Sequence, residues 1–186
     1  MKIKLSNEYY KKIIESIIFV SDKPVKVEAL KGYFKDLQPS ELKEILDELV
    51  QEWDKLNRGF KLELVSGGYH FRTRSDLSTE IIEYNKEIKK FRLSRAALEV
   101  LAITAYKQPL TRIDVDQIRG VDSSGVLNLL LDKRLIEIKG RKDVPGRPFL
   151  YITTEEFLET FGLNSLKDLP SLKELEEISK DIGELL

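Results

Sequence analysis

The chain has 186 residues, with 31 Lys and Arg against 32 Asp and Glu, so its formal net charge at pH 7 is -1. Hydrophobic residues make up 41% and aromatic residues 9%, which supplies a buried core and excludes a chain kept unfolded by its own charge. The absence of cysteine and the single histidine exclude disulfides, thiolate metal sites and cysteine nucleophiles, and leave little material for a histidine-based active site.

The first half begins with three predicted helices. Asn7–Val20 has apolar residues at three- and four-residue spacing, which predicts an amphipathic helix capped by Ser6 or Asn7. A second helix is predicted over Val27–Phe34. Ser40 is the expected N-cap of a third helix that extends to Lys55.

The periodicity then changes from helical to alternating. Phe60–Leu64 and Tyr69–Thr73 alternate apolar and polar residues, and Gly67 with Gly68 is predicted to form the tight turn between them. This pattern indicates a β-hairpin. A further helix is predicted over Asp76–Lys89.

The second half repeats this order. Ser94 is predicted to cap a helix over Arg95–Tyr106, and Thr111 with Asp114 to form a capping box. The helix that this box opens is predicted to stop at Gly120. The remaining chain is predicted to form a third helix capped by Ser123 or Ser124, strands over Leu135–Ile138 and Phe149–Thr153, and a final helix from Thr154.

Three helices and a hairpin therefore occur twice, which predicts a mainly α fold with small β-hairpins (α+β) built as tandem winged helices. The predicted domains are residues 1–88, 89–165 and an acidic tail, 166–186. Within this tail, Ser171–Leu186 is predicted to form an amphipathic acidic helix. Its apolar residues are Leu172, Leu175, Ile178 and Ile182.

The distribution of charge argues against a sequence-reading DNA-binding protein. Residues 1–88 have 15 basic and 16 acidic side chains, residues 89–162 have 13 and 10, and residues 163–186 have 3 and 6. The outward positions of the helix ending at Lys55 are mostly acidic, which phosphate would repel. In the second unit, positive charge gathers in the loop Gly140–Pro148, where Arg141 and Arg147 either contact phosphate weakly or pair with carboxylates that fix the loop.

The other candidate features favour structure over chemistry. His70 has no second His or Cys with which to share a metal, so we expect it to be structural or exposed. The first helix has more apolar surface than one small core usually needs, which leaves two interpretations open: plain core or a protein interface. The residues in question include Tyr9, Ile13, Ile17 and Phe19.

Several ordered motifs resemble one family closely. In the second half they are LSRAALEVLAITAYKQPLTR at Leu93–Arg112, IRGVDSSGV at Ile118–Val126, GRKDVPGRP at Gly140–Pro148, YITT at Tyr151–Thr154 and FLETFGL at Phe157–Leu163. In the first half, IIESIIFV at Ile13–Val20 and GGYHFR at Gly67–Arg72 are similar to the family's first helix and wing. Together these motifs resemble the segregation and condensation protein B family.

The resemblance implies a non-enzymatic, cofactor-free subunit of the bacterial or archaeal SMC condensin-like complex, acting in chromosome condensation and segregation around cell division. Such proteins dimerise largely through their N-terminal units and bind the kleisin, segregation and condensation protein A, which bridges the SMC ATPase heads. The apolar surface of the first helix, with Tyr9, Ile13, Ile17 and Phe19, is the candidate dimer interface. The implied location is cytoplasmic and nucleoid-associated, with no membrane contact and at most weak or indirect contact with DNA. The motif residues that either shape the fold or touch the kleisin are Tyr106, Gln108, Pro109, Arg112, Arg119, Arg141, Arg147 and Pro148.

The alternative hypothesis is a winged-helix transcription regulator that binds DNA through its fold and the basic wing residues. It requires tight, sequence-selective DNA binding at physiological salt. An enzymatic role has less support, because no constellation of nucleophile, general base or metal ligands is present in the sequence.

Overall fold

The computed structural model describes residues 6–84, 93–171 and 174. The chain divides into two compact units, Met1–Lys90 and Phe91–Leu186. Each unit has its own buried core. Within the described residues, no helix combines the length and the apolar character that crossing a bilayer demands.

The first unit combines helices with one small sheet, whose first strand lies between α1 and α2. Its elements in chain order are α1 (Asn7–Val20), β1 (Val25–Lys26), α2 (Val27–Tyr33), α3 (Pro39–Lys55), β2 (Phe60–Val65), β3 (Gly68–Thr73), a 3-10 turn (Ser75–Leu77) and α4 (Ser78–Tyr84). Ser6 caps α1 as expected, because its side chain accepts a hydrogen bond from the Tyr9 amide.

The start of α3 differs from the prediction. Gln38 rather than Ser40 is the N-cap, and its backbone amide donates to the Glu41 carboxylate over 2.8 Å. Pro39 occupies the first helical turn. Backbone N–H groups there have no acceptor within the helix, so the missing N–H of proline costs no intrahelical hydrogen bond. The helix therefore begins earlier than Ser40, because Gln38 and Glu41 form a reciprocal capping box around its first turn.

The sheet of the first unit has three strands in the order β1-β3-β2, one more than the predicted hairpin. Val25 pairs with Tyr69 and Lys26 with Gly68, both antiparallel. The turn between β2 and β3 lies at Ser66 and Gly67, which have φ of 52° and 73°. Gly68 is therefore the first residue of β3 and not part of the turn, which corrects the predicted Gly67–Gly68 turn.

The last helical stretch of the first unit also differs from the prediction. The chain makes the 3-10 turn over Ser75–Leu77 before α4 begins at Ser78, so the helix starts later than Asp76. The predicted continuation to Lys89 lies outside the described residues beyond Tyr84.

The second unit repeats the order of helices and strands. Its elements are α5 (Arg95–Lys107), α6 (Arg112–Arg119), α7 (Ser124–Asp132), β4 (Ile136–Arg141), β5 (Phe149–Thr153), α8 (Glu155–Phe161) and a 3-10 turn (Leu166–Asp168). Antiparallel β4 and β5 form a two-stranded sheet, and Leu110 adds an isolated bridge to Tyr151.

The predicted caps of α5, α6 and α8 are confirmed, whereas the side chain of Ser123, the N-cap residue of α7, makes no capping hydrogen bond. Ser94 accepts from the Ala97 amide, and Thr154 accepts from the Phe157 amide. Thr111 and Asp114 form the reciprocal capping box, and Gly120 ends α6 in the left-handed region. These observations confirm the fold class: mainly α with small antiparallel sheets, of the winged-helix type.

Each core combines buried faces of helices with buried strand residues. In the first unit, Ile14 and Leu46 are completely buried, between α1 and α3, and Leu62 and Tyr69 contribute from the sheet. In the second unit, Val100, Val115 and Leu130 are completely buried, one from each helix of the three-helix arrangement. The predicted amphipathic helix over Ser171–Leu186 lies, apart from Ser171 and Glu174, outside the described residues.

Candidate functional site

The exposed apolar surface of α1 lies near its two ends. Phe19 is 70% exposed and Tyr9 51% exposed, and Val20 beside Phe19 is also exposed. Ile13 and Ile17, the other two predicted interface residues, are half-buried and pack against the core of the unit. Both interpretations of α1 therefore have support: its middle residues contribute to the core, while Tyr9 and Phe19 face outward.

Phe19 lies at the edge of an aromatic cluster formed with the sheet. Its ring centroid is 6.3 Å from that of Phe71 in an edge-to-face arrangement, and Phe71 contacts Trp53 at 5.0 Å. Trp53 also contacts Phe60 and donates its indole N–H to Glu15 over 2.6 Å. Aromatic pairs of this kind hold rings in place, so the exposed Phe19 ring has a fixed inner neighbour.

The acidic side chains of α3 have partners within the first unit. Lys11 of α1 is nearly buried, and its Nζ lies 2.6 Å from Glu52 and 2.8 Å from Glu48. The hydrogen bonds that Lys11 donates to Glu48, and next to Glu52, hold its pKa above the usual value, so the ammonium stays charged. The Arg74 guanidinium lies 3.0 Å from Asp54. Part of the acidic face of α3 therefore serves contacts inside the first unit, to α1 and to the residue that follows β3.

A second feature of α3 is the contact of Asp47 with the sheet. The Tyr69 hydroxyl donates to Asp47 over 3.4 Å. Burial, followed by the charge of Asp47, raises the pKa of Tyr69.

In the second unit, an apolar groove of about 390 Å³ lies between α5, α8 and the segment that follows α8. Its lining residues are Leu98, Leu101, Ala102, Ala105, Tyr106, Phe157, Phe161, Leu163, Leu169 and Pro170. Leu98 is 47% exposed and Phe161 44% exposed at its mouth, whereas Leu101 and Phe157 are buried beneath. The Tyr106 hydroxyl donates to the Pro170 carbonyl over 2.7 Å and so fixes the end of this segment.

Sequence reasoning named Tyr106 but missed the groove. The sequence signal that could have indicated the groove was the small side chain of Ala102 next to Leu98 on one face of the helix, together with the apolar Phe161 later in the chain. These positions form a groove only when α8 lies beside α5, and that packing is tertiary information.

Gln108 and Pro109 organise the junction between α5 and the sheet. The Gln108 side chain accepts from the Thr153 amide over 2.7 Å and donates to the Thr153 hydroxyl over 2.9 Å. The Gln108–Pro109 peptide bond is cis. The Gln108 side chain therefore links the end of α5 to β5.

The two predicted arginines of α6 have different environments. The Arg119 side chain is 8% exposed and is bound by Glu99 and the Ser123 hydroxyl, each at 3.0 Å. Arg112 is half-exposed and lies 3.0 Å from Asp122 and 3.4 Å from Asp116. The Ser124 hydroxyl, and more weakly Arg112, lower the pKa of Asp122. Arg119 joins the three helices internally, whereas Arg112 is accessible.

The loop Gly140–Pro148, called the wing below, contains the remaining residues that were predicted to contact the kleisin or shape the fold. The Arg141 guanidinium donates to the Arg147 carbonyl over 2.9 Å and lies 4.0 Å above the Phe149 ring. Pro148 accepts from the Lys142 amide over 2.9 Å, and Arg147 is exposed with φ of 40°. Arg141 thus fixes the wing through a backbone carbonyl and an aromatic ring rather than through the carboxylate that the sequence suggested.

The remaining candidate feature is His70. Its Nε2 lies 3.4 Å from the Ser21 carbonyl, and its side chain is half-buried on the sheet. Among residues 6–84, 93–171 and 174, no group of three or more His, Cys, Asp or Glu side chains could hold a metal ion.

Fold and surfaces together define a class: a tandem winged-helix protein whose third helix is acidic, with exposed apolar side chains at one end of α1 and in a groove of the second unit. Residues 12–172 match the family model described as "Segregation and condensation complex subunit ScpB". The chain belongs to this family.

Named relatives agree over nearly the whole chain. "Segregation and condensation protein B" from Syntrophotalea carbinolica is 50% identical over 95% of this chain and 88% of its own length. The protein of the same name from Clostridium tetani is 48% identical over 89% of this chain and 87% of its own length. A crystal structure of ScpB from Mycobacterium tuberculosis is 30% identical, covers 87% of this chain and 99% of its own, and gives a TM-score of 0.42.

Proposed function

We propose that the chain is a non-catalytic scaffold subunit that forms a homodimer through its first unit and binds the kleisin, segregation and condensation protein A, through its second unit. Family membership supports a role in a segregation and condensation complex. The proposed location is the cytoplasm, at the nucleoid, with the SMC ATPase reached through the kleisin and DNA contacted at most indirectly.

The observation that supports the dimer is the outward position of Phe19, Val20 and Tyr9 on α1. Large aromatic side chains at an accessible surface are typical anchors of protein interfaces. Phe19 is the strongest candidate, because it is 70% exposed yet held from within by Phe71.

The dimer is tested with Phe19→Asp. A buried charge at the interface should weaken the dimer by at least about tenfold, which corresponds to about 1.4 kcal/mol. Light scattering over a concentration series measures the change. Tyr84→Asp is the control, because Tyr84 is 92% exposed and lies on α4 rather than α1. Equal dimer dissociation constants for both variants and the unchanged chain would contradict the assignment of α1.

The kleisin contacts are proposed on the accessible wing and the start of α6. Arg112, Arg147 and Pro148 remain available there, with Arg141 shaping the wing. Tyr106, Gln108 and Arg119 are proposed to support the fold, since their side chains already form hydrogen bonds within the unit.

Co-purification with segregation and condensation protein A tests this assignment and gives the stoichiometry. Arg147→Glu should reduce the amount of kleisin recovered, because it reverses the charge at the exposed wing. Lys139→Glu is the control, because it reverses the charge of another exposed residue that lies on β4 rather than in the loop. The wing assignment is wrong if both variants recover the kleisin as well as the unchanged chain does.

A further inference from the structure

The apolar groove of the second unit is open along one helix face. Leu98, Ala102 and Tyr106 follow one another at four-residue spacing on α5, and Phe161 stands on the opposite wall. Contiguous apolar surface of this kind is a docking site for another apolar element. The proposed wing contacts leave it uncovered.

The chain leaves the described part of the second unit at the rim of this groove. Leu169 and Pro170 line it, and Pro170 is held by the Tyr106 hydroxyl. Immediately afterwards, the Ser171 amide donates to the Glu174 carboxylate over 2.6 Å, and the Glu174 amide donates to the Ser171 hydroxyl over 3.3 Å. These reciprocal bonds are a capping box, the signal that starts a helix after Ser171.

The sequence after Ser171 has the composition that the groove would accept. Leu172, Leu175, Ile178 and Ile182 recur at three- and four-residue spacing, which gives one apolar stripe. At 1.5 Å per residue, a helix over residues 172–186 is about 22 Å long, whereas α5 from Tyr106 back to Arg95 spans about 16 Å. A helix that starts beside Tyr106 and runs antiparallel to α5 would therefore extend along the whole groove.

Charge favours the same arrangement. Arg95 precedes Leu98 by three residues and Ala102 by seven, so it lies on the groove face at the far end of α5. It is exposed, and among the described residues it has no ion pair. Residues 172–186 contain five acidic and two basic side chains, and Asp181 and Glu184 would lie near the Arg95 end.

We propose that residues 172–186 of the same chain dock in the groove between α5 and α8, with the apolar stripe facing Leu98 and Phe161. This inference goes beyond the proposed function and does not depend on it, because it concerns a contact within one chain. Its consequence is that any partner of the groove must displace this segment.

The natural absence of cysteine permits a direct test. The full chain with Leu98→Cys and Ile182→Cys places the two thiols at similar levels along the groove. The matched control is Leu98→Cys with Lys180→Cys, whose second cysteine is equally close along the helix but on its polar face. Mild oxidation followed by non-reducing electrophoresis and mass spectrometry measures the crosslink within one chain.

We expect the Ile182 pair to form an intrachain disulfide about tenfold faster than the Lys180 pair, because docking holds the two thiols at a high effective concentration. Adding Arg95→Glu should slow the Ile182 pair at low salt. Equal rates for both pairs would overturn the proposal. Crosslinks formed only between chains would also overturn it, and would indicate that a second copy occupies the groove.

Discussion

At the scale of single residues, hydrogen bonding separates the motif residues that build the fold from those that remain accessible. Gln108 satisfies the Thr153 amide and hydroxyl, and Arg119 binds Glu99 and Ser123 with a nearly buried side chain. Arg112 and Arg147 instead face solvent. Sequence alone left these two roles open, because the same residue types serve both.

Gln108→Ala should destabilise the second unit by about 1–2 kcal/mol, because the Thr153 amide loses its acceptor. Gln117→Ala on the exposed face of α6 is the control and should change the free energy of unfolding much less. Denaturant unfolding measures both. If Gln108→Ala leaves stability unchanged but abolishes kleisin binding, Gln108 is a contact residue rather than a structural one.

Asp114→Asn tests the capping box of α6. The Thr111 amide, and next its hydroxyl, lower the pKa of Asp114, so the folded state favours the charged carboxylate. This stabilisation is present above the ordinary pKa of about 3.9 and is lost as the pH falls through that value and below it. We expect Asp114→Asn to cost about 1 kcal/mol near neutral pH and progressively less below about pH 4.

Unfolding of Asp114→Asn and of the unchanged chain across this pH range measures the difference. Asp143→Asn in the exposed wing is the control substitution. A cost that stays constant as the pH falls would argue against the charged cap.

At the scale of elements, α1 and α3 are joined by a polar contact as well as by apolar packing. Lys11 lies between Glu48 and Glu52 with its side chain only 10% exposed, while the two carboxylates are half-exposed. The acidic surface of α3 that argued against DNA binding is therefore partly an internal attachment for α1.

A double-mutant cycle of Lys11→Met with Glu52→Gln should give a coupling energy of about 1 kcal/mol, because the pair lies at 2.6 Å and is half shielded from water. Denaturant unfolding of the four proteins measures it. Lys12→Met with Glu52→Gln is the control cycle, since Lys12 is exposed on the next position of α1. Equal couplings in the two cycles would show that the contact has no specific energetic role.

Elements with local signals were predicted well, and those that depend on distant packing were not. The caps Ser6, Ser94, Thr111 and Thr154 follow from residue type and spacing alone. Strand β1 has two residues and exists only because β3 lies beside it, so no periodicity could reveal it. The groove was missed for the same reason, because its walls come from helices separated along the chain.

At the scale of the whole molecule, the residues that the structure describes form two cores, and the single tryptophan of the chain belongs to one of them. Trp53 packs with the core of the first unit. Leu46 is completely buried in the first core and Leu130 in the second. The fluorescence of Trp53 therefore reports the unfolding of the first unit alone, without any added label.

Leu46→Ala should lower the stability of the first unit by about 2–5 kcal/mol and move the Trp53 fluorescence transition to lower denaturant. Leu130→Ala should leave that transition in place while far-ultraviolet circular dichroism shows earlier loss of helix. The two variants are matched, since each replaces a fully buried leucine in its own core. A shift of the Trp53 transition by Leu130→Ala equal to that by Leu46→Ala would show that the chain unfolds as one cooperative body.

The close approach of β3 to the loop after α1 has a consequence for genetics. A Cβ at Gly68 would lie 2.8 Å from the Pro24 carbonyl carbon, so any side chain there must push the loop away from the sheet. That loop follows directly after Phe19 and Val20, the residues proposed to meet a second copy. A genetic screen for assembly defects should therefore recover alleles of Gly68. Such alleles would map to β3, although the contact that they disturb lies on α1.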